Sequence, residues 1–129
     1  MKIFVTGGTG FIGSATAKAL VEAGHDVTVF DNLSTGKKEA IPTKAKLIVG
    51  DILNQKLLEK ILPGHDAIFH FAALIEAGIS FVDPATFFKV NVNGSFSLAE
   101  AARITGVKKI IFSSTAAVYR PKNTPLTEE

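Results

Sequence analysis

The segment Thr6-Gly7-Gly8-Thr9-Gly10-Phe11-Ile12-Gly13 joins a short β-type run, Lys2-Ile3-Phe4-Val5-Thr6, to a helical pattern. In that setting each glycine has a task. Gly7 permits a tight turn, Gly10 lets the backbone approach a pyrophosphate with no Cβ in the way, and Gly13 lets helix and strand pack closely. The helix that follows offers unpaired N–H groups and the positive end of its dipole to a phosphate. A plain βα turn that needs glycine for geometry alone is the competing reading. Asp31 closes the next β-type run and follows Gly13 at close to the offset of about 20 residues expected of a ribose-binding acid. A carboxylate there accepts hydrogen bonds from ribose hydroxyls and repels a 2′-phosphate, so NAD is favoured over NADP. Lys37 and Lys38, close behind, temper that preference.

Other chemistry-bearing residues also fall at the ends of apolar runs. Asp51 closes the third run; it either accepts from an adenine amino group, with Ile52 against the ring, or caps the next helix. Phe71-Ala72-Ala73 ends the fourth run, where small side chains let backbone come close to a cofactor. Ser113-Ser114-Thr115 ends the fifth, a row of hydroxyls suited to a sugar or a nicotinamide ribose, or a polar terminus facing water. His70 reads as a packed core histidine rather than a catalytic base. Asn91 lies within a helical pattern that Asn disfavours, which predicts a buried amide bonding to neighbouring backbone.

Those residues need a frame, and the hydrophobic pattern supplies one. Strands are predicted over 2–6, 27–30, 46–50, 67–71 and 109–113. Helices are predicted over 11–23, 54–62 and 84–105, with Asp83-Pro84 a strong start signal and a Gly, Ser and Lys-rich loop over 32–43. The order is βαββαβαβ, and the strands are nearly all apolar, as when both sheet faces are covered. Right-handed crossovers then give a doubly wound parallel α/β sheet of Rossmann type, five strands in the order 3-2-1-4-5, with residues 1–129 forming one domain. Along the 84–105 helix, Phe88, Val92, Phe96 and Ala99 form one apolar stripe, and Phe87, Gly94, Leu98 and Ala101 a second. Such a helix packs on two sides: the sheet, and either a partner chain or a missing segment.

Composition removes several classes of function. The 129 residues carry a formal charge of +2, with 47% hydrophobic and 20% charged residues. That is enough apolar content for a folded core and too little basic excess to point to nucleic acid. There is no cysteine for a disulfide framework or a thiolate metal site; no metal is expected. No apolar run is long enough to span a bilayer, and glycines interrupt any signal-like segment at the start, so the cytoplasm is the default compartment.

Taken in series, these motifs resemble the extended short-chain dehydrogenase/reductase family, the NAD-dependent epimerases and dehydratases, whose glycines are spaced GxxGxxG. The match runs in order through Thr6–Gly13, Asp31-Asn32-Leu33-Ser34-Thr35-Gly36, Gly50-Asp51-Ile52, His70-Phe71-Ala72-Ala73, Asn91-Val92-Asn93-Gly94 and Ser113–Tyr119. Ala116-Ala117 stand where the dehydratases carry Asp-Glu and the decarboxylases a second-position glutamate. The resemblance therefore narrows to the UDP-glucose (UDP-galactose) 4-epimerases. It implies NAD contacts from Gly7, Gly10, Phe11, Ile12, Asp31, Asn32, Ser34, Thr35, Gly36, Asp51, Ile52, Phe71, Ala72, Ala73 and Ser113. It also gives Thr115 the catalytic Ser/Thr role beside the C4 oxygen of a UDP-sugar, in a reaction that removes and returns a hydride.

One part of that machinery is missing. The family's base is a Tyr in a Tyr-x-x-x-Lys helix, where the lysine lowers the tyrosine pKa. Tyr119 is this chain's single tyrosine; Asn123 stands four residues on, and Pro121 breaks any helix between. The chain thus reads as the N-terminal, cofactor-binding part of an epimerase, inactive alone, ending before the base, the later strands and the substrate domain. Arg120, Val90 and Ile75 depart from the family's usual residues. An exposed fifth strand and the second-side helix stripe predict a homo-oligomer. Another nucleotide-sugar dehydrogenase of the same family, a non-catalytic dinucleotide-binding or redox-sensing module, and a fragment without selected function are the alternatives.

Overall fold

The computed structural model describes residues 1–115, 118, 119 and 125. The readings made for Ala116-Ala117 and for the 120–124 loop lie outside them. Five parallel strands, β1 (Lys2–Thr6), β2 (Asp26–Asp31), β3 (Lys46–Val49), β4 (Ala67–His70) and β5 (Ile110–Phe112), form one sheet in the order β3-β2-β1-β4-β5. That is the arrangement expected from the pattern. β1 has the expected ends and the other strands differ from theirs by one residue, so Phe71 and Ser113 stand just beyond β4 and β5.

Alternation along β1 divides the core. Ile3 and Val5 pack with Val27, Val29 and Ala17 of α1 (Phe11–Glu22) on one face. Phe4 points to the other face and joins Phe30, Ile68, Leu58 of α2 (Gln55–Ile61) and Leu98 of α5 (Ser95–Thr105). Its ring stacks on Phe30 with centroids 5.5 Å apart. Each face thus buries its own apolar set, which is why the strands carry few polar residues. Asn54 caps α2 by accepting from Leu57 N–H at 3.1 Å, and Gly106 ends α5 at φ +80.

Two features depart from the expected helices. A short helix, α3 (Ala77–Val82), precedes Asp83 and was not expected. The single 84–105 helix is instead three pieces: α4 (Pro84–Phe88), a π-helical turn over Lys89–Gly94, and α5. The cause is local. The Asn91 amide is tied to the backbone of Leu74, accepting its N–H at 2.8 Å and donating to its carbonyl at 2.9 Å. The Ser95 hydroxyl donates back to the Asn91 carbonyl at 2.6 Å, and Gly94 lies so close to Ile52 that a Cβ would sit 2.5 Å from Cδ1. The contacts with Leu74 and Ile52 hold the widened turn from outside the helix, a kind of turn that recurs near functional sites.

The two stripes separate, but in the reverse sense: the second, expected to lose its cover, is the one that packs inward, with Phe87 half-buried, and the first is left uncovered. Gly94, Leu98 and Ala101 are buried, whereas Phe88, Val92 and Phe96 are 61%, 48% and 67% exposed. Ile110, Ile111 and Phe112 of β5 are also exposed. No helix among the described residues is long and apolar enough to cross a membrane.

Candidate functional site

Strand order reverses between β1 and β4, and the crevice at their carboxyl ends is where such sheets bind ligands. A cleft of about 290 Å³ opens there. The glycine turn forms its floor. Gly7 has φ +67 and donates its N–H to the Phe30 carbonyl at 2.9 Å; a Cβ on it would lie 2.5 Å from the Ala72 nitrogen. Gly10 precedes α1 with no side-chain cap, and the next residue, Phe11, is 92% exposed. The first turn of a twelve-residue helix thus begins, with no side chain capping its amides, right after the cleft-lining Gly10.

Asp31 closes β2 beside this floor. It is nearly buried, and its two oxygens accept from Thr9 N–H at 3.0 Å and Leu33 N–H at 2.8 Å. The second bond holds Leu33 in the left-handed region, φ 59, a conformation costing a β-carbon residue roughly 1–2 kcal/mol. Each oxygen keeps a lone pair for a ligand hydroxyl. Asn32 bridges onward: its Nδ2 donates to Asp51 at 3.0 Å, and its Oδ1 accepts from Ser34 N–H at 3.0 Å. The other Asp51 oxygen accepts from Leu53 N–H at 2.9 Å. Of the two readings of Asp51, the helix-cap one is overturned, because Asn54 supplies that cap.

The cleft brings together Gly7, Gly10, Asp31, Asn32, Ser34, Thr35, Gly36, Asp51, Ile52, Phe71, Ala72 and Ala73. Phe11 and Ile12, the first residues of α1, are not among the residues that line it. Ser113 and Thr115 follow β5 and are exposed; Ser113 N–H donates to the His70 carbonyl at 3.4 Å, and the Thr115 carbonyl accepts from Val118 N–H at 3.3 Å. Leu74, Thr86 and Val90 also line the cleft and were not expected there. The signal that could have placed Thr86 is the Asp83-Pro84 start: Asp83 accepts from Thr86 N–H at 3.1 Å and sets α4 against the cleft. Among the described residues no cluster of His, Asp and Glu is arranged to hold a metal.

His70 ends β4 just before the cleft-lining Phe71 and is 4% exposed. Desolvation pushes its pKa from 6.5 down to about 4. The folded chain therefore holds a neutral imidazole over a range where the unfolded chain is protonated. Stability is full above pH 6.5 and falls as pH drops toward about 4, by about 3 kcal/mol in all. Urea unfolding across that range measures the slope, and His70→Gln flattens it.

Taken together, the sheet reversal, the glycine turn feeding a bare helix N-terminus and the acid ending β2 define a Rossmann-type dinucleotide-binding domain. Residues 3–129 match the NAD dependent epimerase/dehydratase family, and the chain belongs to it. It is 44% identical over 131 residues to a UDP-glucose 4-epimerase of Streptomyces lividans, covering 98% of this chain and 40% of that protein. The structure of UDP-glucose 4-epimerase from Brucella ovis in complex with NAD superposes with TM-score 0.88 at 42% identity, over 98% of this chain and 40% of that one. That of Thermotoga maritima UDP-glucose 4-epimerase with UDP-glucose gives TM-score 0.88 at 41% identity, over 98% and 41%. The chain thus spans about two fifths of the length of these relatives. NAD is the family's cofactor, and the residues here fit it: a Cβ-free floor, uncapped helix amides and a carboxylate with lone pairs to spare.

Proposed function

We propose that this chain is the NAD-holding portion of a UDP-hexose 4-epimerase. One observation carries the reading: the glycine turn and the Asp31 carboxylate face a single cleft at the reversal of the sheet. In this reading the amides around Gly10, Phe11 and Ile12 take the pyrophosphate. Asp31 accepts from the adenosine ribose, with Asn32, Ser34, Thr35 and Gly36 around it. Asp51 and Ile52 hold the adenine, while Phe71, Ala72, Ala73 and Ser113 border the nicotinamide half. Bound there, NAD would supply reversible hydride acceptance at the sugar C4. Thr115 orients the C4 hydroxyl of a UDP-sugar. The relatives named UDP-glucose 4-epimerases, one of them with UDP-glucose bound, support this substrate class.

Alone, the chain lacks the base, since Asn123 and not Lys lies four residues past its single tyrosine. Calorimetric titration is expected to show NAD binding, and UDP-galactose turnover is expected at background. Turnover clearly above background overturns the inactivity, and absence of NAD binding overturns the whole reading.

The same proposal extends to assembly. Phe88, Val92 and Phe96 leave one side of the helical run apolar and uncovered, a patch whose burial against a second copy is favourable at about 25 cal/mol per Å². A dimer or larger species is expected by light scattering at micromolar concentration, shifted toward monomer by Phe96→Glu. A monomer in the unsubstituted chain contradicts it.

A further inference from the structure

We infer that His70 is a positioning residue of the cleft, a neutral strut that fixes the wall Phe71–Leu74 between the glycine turn and the π-helical turn. The inference rests on the NAD reading for its consequence and on hydrogen-bond geometry for its existence. Parallel register places Thr6 of β1 beside His70 of β4. The His70 Nδ1 lies 2.7 Å from the Thr6 hydroxyl, and its Nε2 lies 2.9 Å from the Ser95 hydroxyl.

Proton counting settles the direction of every bond. Ser95 has one hydroxyl proton, and it goes to the Asn91 carbonyl at 2.6 Å. The contact with His70 therefore has Nε2–H as donor. Nδ1 is then bare and accepts from the Thr6 O–H. The Thr6 oxygen in turn accepts from Phe71 N–H and Ala72 N–H, both at 3.3 Å. The relay runs one way, from the wall amides through Thr6, His70 and Ser95 to the π-helical turn, and aligned bonds of this kind reinforce one another in a dry interior.

Both ends of the relay meet the cleft wall. At one end Thr6 holds the amides of Phe71 and Ala72, beneath which Gly7 packs without room for a Cβ. At the other, the residue whose carbonyl receives Ser95, Asn91, clamps Leu74 by both backbone groups. The four wall residues, all lining the cleft, are thus fixed at each end, with the imidazole spanning the gap. The Phe112 ring packs beside it at 5.6 Å.

The test uses the whole chain. Nitrogen-15 spectra at neutral pH are expected to show a protonated Nε2 and a bare Nδ1 on His70; the opposite tautomer overturns the relay. His70→Phe keeps a planar ring in the site and removes both bonds, and is expected to weaken NAD binding roughly tenfold, the effect of about one buried hydrogen bond. His70→Gln, whose amide carries one acceptor and one donor, recovers most of that loss. Ser95→Ala, at the far end of the relay, weakens binding in the same direction, and it carries the comparison if His70→Phe does not fold. Unchanged NAD affinity in all variants, with the parent chain binding NAD, overturns the inference alone. A parent chain that binds no NAD overturns the cofactor reading, and the tautomer spectrum still decides whether the relay exists.

Discussion

Replacing Gly13 by valine is expected to abolish detectable NAD binding and to destabilise the chain by about 2–4 kcal/mol. The two effects share one cause. Gly13 is buried in the first turn of α1. A Cβ there falls inside contact distance of the Gly7 carbonyl oxygen, and lies 2.8 Å from the Gly7 carbonyl carbon and the Gly8 Cα. All of these are backbone atoms. They cannot retreat, because Gly7 is held at φ +67 by its bond to Phe30 and abuts Ala72. The turn must open, and the amides beside Gly10 lose their aim. Helix propensity runs the other way for the smaller change: alanine favours a helix interior over glycine by about 1 kcal/mol. The backbone clash outweighs that gain, so Gly13→Ala should also destabilise, though less than valine, while Gly78→Ala in α3, where a Cβ meets nothing within 4 Å, should be neutral or slightly stabilising. Chemical unfolding reads the stabilities, and calorimetry reads the binding. Full NAD affinity in Gly13→Val would remove the turn from the site.

The sheet was legible because its signal is local and repeated. Apolar runs such as Val27–Phe30 and Ala67–Phe71 end at turn residues, and crossover handedness leaves few ways to order them. Much of the cleft was legible for the same reason, since such sheets gather ligand residues at strand ends. What escaped depended on contacts distant in the chain. Ala77–Val82 has no capping side chain, and Ile79, Phe81 and Val82 are all exposed, so no buried face imposes a helical period on the sequence. The widened turn over Lys89–Gly94 follows from the grip of Asn91 on Leu74, 17 positions away; the odd placement of Asn was visible, its partner was not. The relay joins Thr6, His70 and Ser95 from three separate elements, and only the β1–β4 register brings the first two together. Asp51 was ambiguous because a carboxylate at a strand end suits two roles, and the nearby Asn54 turned out to fill one of them.

Asp31→Ala should lower NAD affinity by about a hundredfold, the loss of roughly two hydrogen bonds to a charged acceptor. It should also cost about 2–4 kcal/mol of stability in the free chain, because two amides lose their partner. Thr9, whose N–H reaches one carboxylate oxygen, is 3% exposed, so that donor has little access to water. Leu33, bonded to the other oxygen, stays in the left-handed region only while that bond holds it. Release lets the 32–36 loop relax, and the ribose side of the cleft loses its shape as well as its acceptor. Asn in place of Asp31 should not restore stability, since one of its two positions becomes an NH₂ facing an N–H. The substitution also removes the charge that opposes a 2′-phosphate, so NADP affinity should fall far less than NAD affinity. Measured together, the two dinucleotides separate the roles: a merely structural Asp31 loses both equally, whereas a ribose acceptor changes their ratio.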